Sequence, residues 1–227
     1  MHPRLILFDI DGTLVLTQGA GREATRLAML DVFGTSANIE THHFGGKTDW
    51  QTLVELLAPL GITYDDVKRA MPDYNRVMGA HLERIISQYS VMACTGTLEL
   101  VDYLHQHCSA LLGLVTGNVS NAAPVKLRAA NFDMSHFPVG AYGDDAMNRD
   151  DLPILALTRA QRHYGHPIEP EQVVVVGDTP ADVQCARALG AVAVGVMTGF
   201  ATREAMEAAQ PDYLLDDLTT FTTILGL

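Results

Sequence analysis

Three apolar runs in this chain stop abruptly at polar residues, and that recurrence constrains the fold more than any other feature. Leu5-Ile6-Leu7-Phe8 runs into Asp9-Ile10-Asp11-Gly12-Thr13. Leu111-Leu112-Gly113-Leu114-Val115 runs into Thr116-Gly117-Asn118. Val173-Val174-Val175-Val176 runs into Gly177-Asp178-Thr179-Pro180-Ala181-Asp182. Short runs without polar alternation read as strands buried on both faces, the mark of a parallel sheet. Open α/β sheets bind ligands at the carboxyl ends of their strands. Three polar strand ends on one edge therefore predict one site.

From about residue 96 onward the sequence alternates between helical and strand patterns. Helical periodicity covers Leu98–Leu104, Ala122–Ala130, Leu152–Arg162, Ala181–Leu189 and Arg203–Ala209. Strand-like runs cover Leu111–Val115, Val139–Tyr142, Val173–Val176, Ala191–Val196 and Tyr213–Leu215. Such alternation predicts an α/β fold, a doubly wound parallel sheet with helices on both faces. The stretch from Val15 to Met92 breaks it. Amphipathic helical segments fall at Arg22–Phe33, Trp50–Leu60 and Asp65–Tyr89, with no convincing strand among them. Residues 1–14 and 93–227 are thus expected to form the α/β core, and 15–92 an inserted helical cap.

Composition narrows the partners. The 227-residue chain carries a formal net charge of −12. Neither nucleic acid nor an anionic membrane would be drawn to such a surface. A small anionic ligand is still admissible, because a metal and a few local cations dominate a small site. Cys94, Cys108 and Cys185 lack metal-ligand spacing and read as reduced, packed thiols. With no signal peptide pattern and no apolar run of membrane-spanning length, a cytoplasmic location is the expectation. No residue pattern sets an oligomeric state.

Asp9 and Asp11 lie at i and i+2 of an extended segment, so their side chains share a direction. Two neighbouring carboxylates repel unless a cation or a shared proton separates them. The pair asks for a metal, for a nucleophile beside an acid/base, or for both. Asp178 ends the third apolar run, and Asp182 lies one turn into the helix that Pro180 starts. A hydroxyl and free N–H groups at the strand-to-helix turn of Thr116-Gly117-Asn118 suit an anion.

These three motifs, in this order and spacing, resemble the haloacid dehalogenase (HAD) superfamily, in particular its phosphoglycolate phosphatase and β-phosphoglucomutase type. The likeness extends over nearly the whole chain. It implies that Asp9 is a nucleophile forming an aspartyl-phosphate, and that Asp11 is the general acid/base. It implies that Mg²⁺ is held by Asp9, Asp178 and the backbone carbonyl of Asp11, with Asp182 in support. It implies that Thr116 and the Gly117 and Asn118 amides hold phosphate oxygens. Dehalogenases lack an acid at the position of Asp11, which favours phosphoryl chemistry. The family's basic residue, usually Lys before Pro, is here Arg149, with no Lys-Pro; Lys126, on the helix after Thr116, is the alternative. Asp144, on the same loop as Arg149, is a candidate supporting acid.

Within the insertion, His42-His43-Phe44-Gly45-Gly46-Lys47-Thr48-Asp49 forms a loop whose counterpart in relatives selects substrate. Gly46 permits close backbone approach and Lys47 offers a cation to a substrate. Either Thr48 or Asp49 should cap the next helix. Adjacent histidines face apart, so His42 and His43 make no metal site; the remaining histidines read mostly as surface. The expected activity is Mg²⁺-dependent hydrolysis of a small phosphorylated metabolite. A phosphosugar mutase is the alternative, and a non-enzymatic phospho-accepting receiver-like domain a remote one.

Overall fold

The computed structural model describes residues 3–227, and the chain threads them in the following order. The first half contains β1 (Leu5–Phe8), β2 (Val15–Leu16), α1 (Ala20–Phe33), α2 (Asp49–Leu57), α3 (Tyr64–Ile85), β3 (Met92–Ala93) and α4 (Thr97–His107). The second contains β4 (Leu111–Val115), α5 (Ala123–Ala129), β5 (Val139–Ala141), α6 (Leu152–Tyr164), β6 (Val173–Gly177), α7 (Pro180–Leu189), β7 (Val192–Val196), α8 (Arg203–Ala209), β8 (Tyr213–Leu215) and α9 (Phe221–Leu225). Six strands form one sheet in the order β5-β4-β1-β6-β7-β8, and every pairing in it is parallel.

The apolar runs sit where their composition demands. β1 lies at the centre of the sheet, with all four residues fully buried. Ile6 and Phe8 face one layer, with Leu100 and Leu104 of α4, Leu127 of α5 and Phe221 of α9. Leu5 and Leu7 face the other, with Leu152 and Ala156 of α6, Val183 and Ala186 of α7, and Met206 of α8. Burial of both faces explains why the strands lack polar alternation. From β1 the chain first builds outward through β4 and β5, then returns to the other side of β1 through β6, β7 and β8. The reversal places the crevice of the sheet at the carboxyl end of β1.

Helices α1, α2 and α3 share a separate apolar cluster, built around Ala24, Ala28, Met29, Leu53, Leu57, Val67, Tyr74 and Leu82. Val119, Ala122 and Val125, which follow β4, join it and seat it on the sheet's carboxyl edge. A reciprocal cap between Thr63 and Asp66 starts α3. One expectation fails here. Val15–Leu16 pairs antiparallel with Met92–Ala93 where the insertion leaves and rejoins the core. Two-residue strands are too short to imprint an alternation on the sequence. Among the described residues no helix is long and apolar enough to cross a membrane.

Candidate active site

The polar strand ends meet in a cavity of about 490 Å³, floored by the sheet edge and roofed by α1 and the loop before α2. Asp9, the first residue after β1, is only 6% exposed. Carboxylate atoms of Asp9, Asp178 and Asp182 all lie within 4.8 Å of one another. Arg149, itself 5% exposed, lies among them: its Nη2 is 3.3 Å from Asp9 Oδ1 and donates to Asp182 Oδ1.

Local chemistry fixes each acid. Thr179 caps α7, and its N–H and hydroxyl both donate to Asp182 Oδ2, at 3.0 and 2.7 Å. With Oδ1 given to Arg149, both oxygens of Asp182 are committed to protein partners. Asp178 Oδ2 accepts the Phe200 N–H at 2.8 Å, and its Oδ1 accepts the Thr13 hydroxyl at 3.3 Å. Gly12, at φ +85°, passes so close that a Cβ there would lie 2.4 Å from Asp178 Oδ2. Only glycine combines that backbone angle with that approach.

Three buried carboxylates against one guanidinium leave a deficit of positive charge. Burial, with the neighbouring charges of Asp182 and Asp9, holds Asp178 well above the usual carboxylate range. Burial also raises Asp9 to about 6, although Arg149 opposes the shift. For Arg149 burial disfavours the charge, but Asp182 and Asp9 outweigh it and keep the guanidinium protonated. A hard divalent cation bound through oxygen is the group this donor set fits. Asp9, Asp178 and Asp182 are the acids that could hold it; Asp182 carries the most protein donors, three against two for Asp178.

The second wall is built by Asp11, Asn118 and Lys126. Asp11 Oδ2 accepts from Lys126 Nζ at 2.6 Å and from Asn118 Nδ2 at 2.7 Å. Lys126 Nζ also donates to Asn118 Oδ1 at 2.6 Å, which closes a ring of three side chains. Thr116 Oγ1 accepts from Asn118 Nδ2 at 2.8 Å, leaving its own proton to donate into the cavity. Among the described residues the Gly117 N–H has no hydrogen-bond partner. Both cations weighed for phosphate thus line the cavity, Arg149 beside Asp9 and Lys126 beside Asp11.

The roof meets the floor through glycine. Gly46, at φ +75°, lies over α7, where a Cβ would come within 2.6 Å of Ala181 Cβ. Asp49 N–H donates to Gly117 O at 2.7 Å, and Gly143 N–H donates to Asn118 O at 2.8 Å. A Cβ on Gly117 would sit 2.0 Å from Lys47 O, and one on Gly143 1.8 Å from Gly117 O. Thr48 is the cap of α2, accepting Gln51 N–H at 3.0 Å. Lys47 lines the cavity with its ammonium paired to Glu55. Asp144 sits apart from the acidic cluster, where it ties Ser120 to Asn75 of α3. His81 departs from the surface reading: it is buried between α1 and α3, 2.7 Å from Asp31 and 2.8 Å from Arg84.

Sequence reasoning missed several members of the site. Thr13 and the Phe200 N–H hold Asp178, and the Thr198 hydroxyl donates to Gly12 O at 2.7 Å. The loop carrying Thr198 and Phe200 follows β7, so the strand-end rule that found the other motifs points to it too. The sequence marks Asp49 only as a helix cap. Its carboxylate is instead buried in the cavity wall, where Oδ2 accepts the Val119 N–H at 2.9 Å. Burial raises it to about 6, against the Val119 bond and Lys126.

Known proteins share the fold. A family model described as HAD-hydrolase-like matches residues 153–221. The phosphoglycolate phosphatase of Escherichia coli (strain K12) is 34% identical over 116 residues, 51% of this chain and 44% of that protein. The chain therefore spans about half the length of the curated relatives it matches. A crystal structure of a predicted phosphoglycolate phosphatase from Haemophilus somnus superposes with a TM-score of 0.71 at 21% identity, over 99% of each chain. A hydrolase from Pseudomonas syringae gives 0.71 at 22% identity, over 99% of this chain and 98% of its own. The chain is thus similar to HAD-like hydrolases over residues 153–221, and to phosphoglycolate phosphatases over about half its length.

Proposed function

We propose that the protein is a Mg²⁺-dependent phosphatase that hydrolyses a small phosphomonoester through an aspartyl-phosphate on Asp9. The observation that carries this reading is the pairing of two unlike acids across one cavity. Asp9 faces Arg149 and the metal-type cluster, whereas Asp11 is held by Lys126 and Asn118. Environments that separate two carboxylates in this way assign them different tasks.

Asp9 and Asp178, with the Asp11 backbone carbonyl, would hold the cation. Bound there, it would neutralise charge between the anionic nucleophile and the anionic phosphoryl group. The Thr116 hydroxyl, the Gly117 N–H and Arg149 bind and orient the phosphoryl oxygens. A carboxylate oxygen of Asp9 attacks phosphorus as the bond to the ester oxygen breaks. Asp11 gives its proton to that departing oxygen, then takes one from the water that cleaves the aspartyl-phosphate. The helical insertion, residues 15–92, serves as a cap that excludes bulk water and admits substrate when it lifts. A cavity of about 490 Å³ suits a metabolite-sized ester. Phosphoglycolate, named for the matched relatives, belongs to that class.

The test is phosphate release from a panel of phosphomonoesters with Mg²⁺, followed by acid quench and mass analysis of the peptide bearing Asp9. Phosphate release with a phosphoryl adduct on Asp9 supports the reading. Isomerisation of a hexose 1-phosphate without release replaces phosphatase by mutase. No turnover and no adduct overturns both.

A further inference from the structure

Lys126 is a buried ammonium that enters none of the bond-making steps above. It is 4% exposed and lies on α5, away from the acidic cluster. Two of its three N–H groups are committed, at 2.6 Å each, to Asp11 Oδ2 and Asn118 Oδ1. Asn118 in turn donates to the same Asp11 oxygen and to Thr116 Oγ1. The ammonium is roofed by α1. A Cβ built on Gly21 would lie 3.0 Å from Nζ and 3.4 Å from Cε, so the helix presents a notch where the ammonium fits. Arg149 is equally buried but differs in its partners: it contacts Asp9 and Asp182, and makes no bond to Asp11.

We propose that Lys126 is a positioning residue for Asp11 rather than a phosphate ligand. With Asn118 it fixes the Asp11 carboxyl on the leaving-group side of the cavity, and the bare backbone of Gly21 leaves room for it to do so. A side chain bonded at one oxygen by two donors, themselves bonded to each other, has lost most of its rotamer freedom. Its second oxygen is then presented in one direction to the ester oxygen. Proximity terms of this kind are sensitive to displacements of about 1 Å. The inference rests on the phosphatase reading, since Asp11 has a proton to deliver only there.

The test separates leaving groups. p-Nitrophenolate departs without help from an acid; an alkoxide does not. For Lys126→Met, kcat/KM for an alkyl phosphate should fall about 100-fold, within the range general acid catalysis contributes. For p-nitrophenyl phosphate it should fall less than about tenfold. Affinity for inorganic phosphate with Mg²⁺, measured by calorimetry, should stay within about twofold. Gly21→Ala supplies a second variant that keeps the charge. Its methyl group displaces the ammonium by a few tenths of an ångström, while the first turn of α1 accepts alanine. It should show the same leaving-group bias, reduced to roughly three- to tenfold. Equal losses for both esters with phosphate binding weakened tenfold or more would make Lys126 a phosphate ligand and overturn the proposal. Unchanged kinetics in both variants would overturn it as well. If the wild type turns over no ester, the phosphatase reading fails first. Calorimetry still decides between the two roles of Lys126, because it needs no turnover.

Discussion

The floor and the roof of the cavity are built on opposite plans. In the floor, Asp9, Asp178 and Asp182 crowd one guanidinium, and charge is left unbalanced. In the roof, each cation is already answered. Lys47 is paired with Glu55, and Arg22 donates to the carbonyls of Ile39, Glu40 and His42 while stacking 4.6 Å over Phe44. Strand ends hold the floor acids by backbone geometry, so charge can be concentrated there and left for a ligand to complete. The roof meets the core through backbone N–H groups and glycines, so it contributes shape and exclusion of water. Substitutions in the floor should therefore cost chemistry, and substitutions in the roof should cost closure.

The sharpest break of that contrast is Asp9→Asn. It keeps the shape and removes both the nucleophile and a metal ligand, so phosphate release should fall by about 10⁴-fold or more. Folding should survive, because the variant relieves like-charge crowding that holds Asp178 far from its ordinary range. Activity near the wild-type level would remove the covalent mechanism.

Metal removal strikes the same floor reversibly. Chelation should silence turnover, and Mg²⁺ should restore it. At a hundredfold excess over its Kd the ion should also stabilise the fold by about 2.7 kcal/mol. For a domain of this size that is roughly 5–10 °C in Tm. A Tm indifferent to Mg²⁺, with activity indifferent to EDTA, would leave the acidic cluster without a cation.

The floor was legible in the sequence because its parts are contiguous. A strand buried on both faces is an unbroken apolar run, and the residue that ends it is the residue at the site, as at Asp9, Thr116 and Asp178. The roof was legible only as helices. What docks it are main-chain contacts at Gly117 and Gly143, and a glycine placed for close approach looks like any loop glycine. Thr13 and Phe200 escaped notice for a related reason. One acts through a common hydroxyl and the other through its backbone N–H, neither of which marks a sequence. The β2–β3 pair escaped because two residues carry no period.

A closure defect without a chemical one should follow from Gly143→Ala. The added methyl would overlap Gly117 O and lie 2.9 Å from Asp49 N, wedging the loop before α2 away from the core. Neither Asp9 nor Asp11 is touched, but the phosphate-binding turn at Gly117 is, and its misplacement by about 1 Å should cost roughly 10- to 100-fold in kcat/KM. Limited proteolysis between residues 42 and 49 should accelerate in parallel. A variant with slower turnover and unaltered cleavage would place the defect in chemistry instead, and the floor–roof division would lose its best support.

The smallest effect on activity, and the finest test of the contrast, belongs to Asp49, the roof's one acid buried in the cavity wall among the described residues. Burial lifts its carboxyl to about 6, while the Val119 N–H and Lys126 pull the other way and the charges of Asp11 and Asp144 add to the rise. An unfolded aspartate titrates near 4. Between those values the folded chain keeps a proton that the unfolded chain has lost, so stability falls as pH rises through the window. Above pH 6 the full penalty applies, about 3 kcal/mol for a shift of roughly two units. Asp49→Asn removes the charge and keeps an oxygen to accept the Val119 N–H. The variant should be more stable than wild type at pH 7, should lose that advantage by about pH 4, and should retain activity within about threefold. Urea unfolding of both proteins at the two pH values measures the gap. Because the metal-type cluster lies in the floor, at Asp9, Asp178 and Asp182, Mg²⁺ should raise both stabilities equally and leave the gap unchanged. A gap that does not narrow on acidification would mean Asp49 folds with its charge fully compensated. A gap that closes on adding Mg²⁺ would mean the ion reaches the roof, and the two halves of the cavity would then be one electrostatic unit.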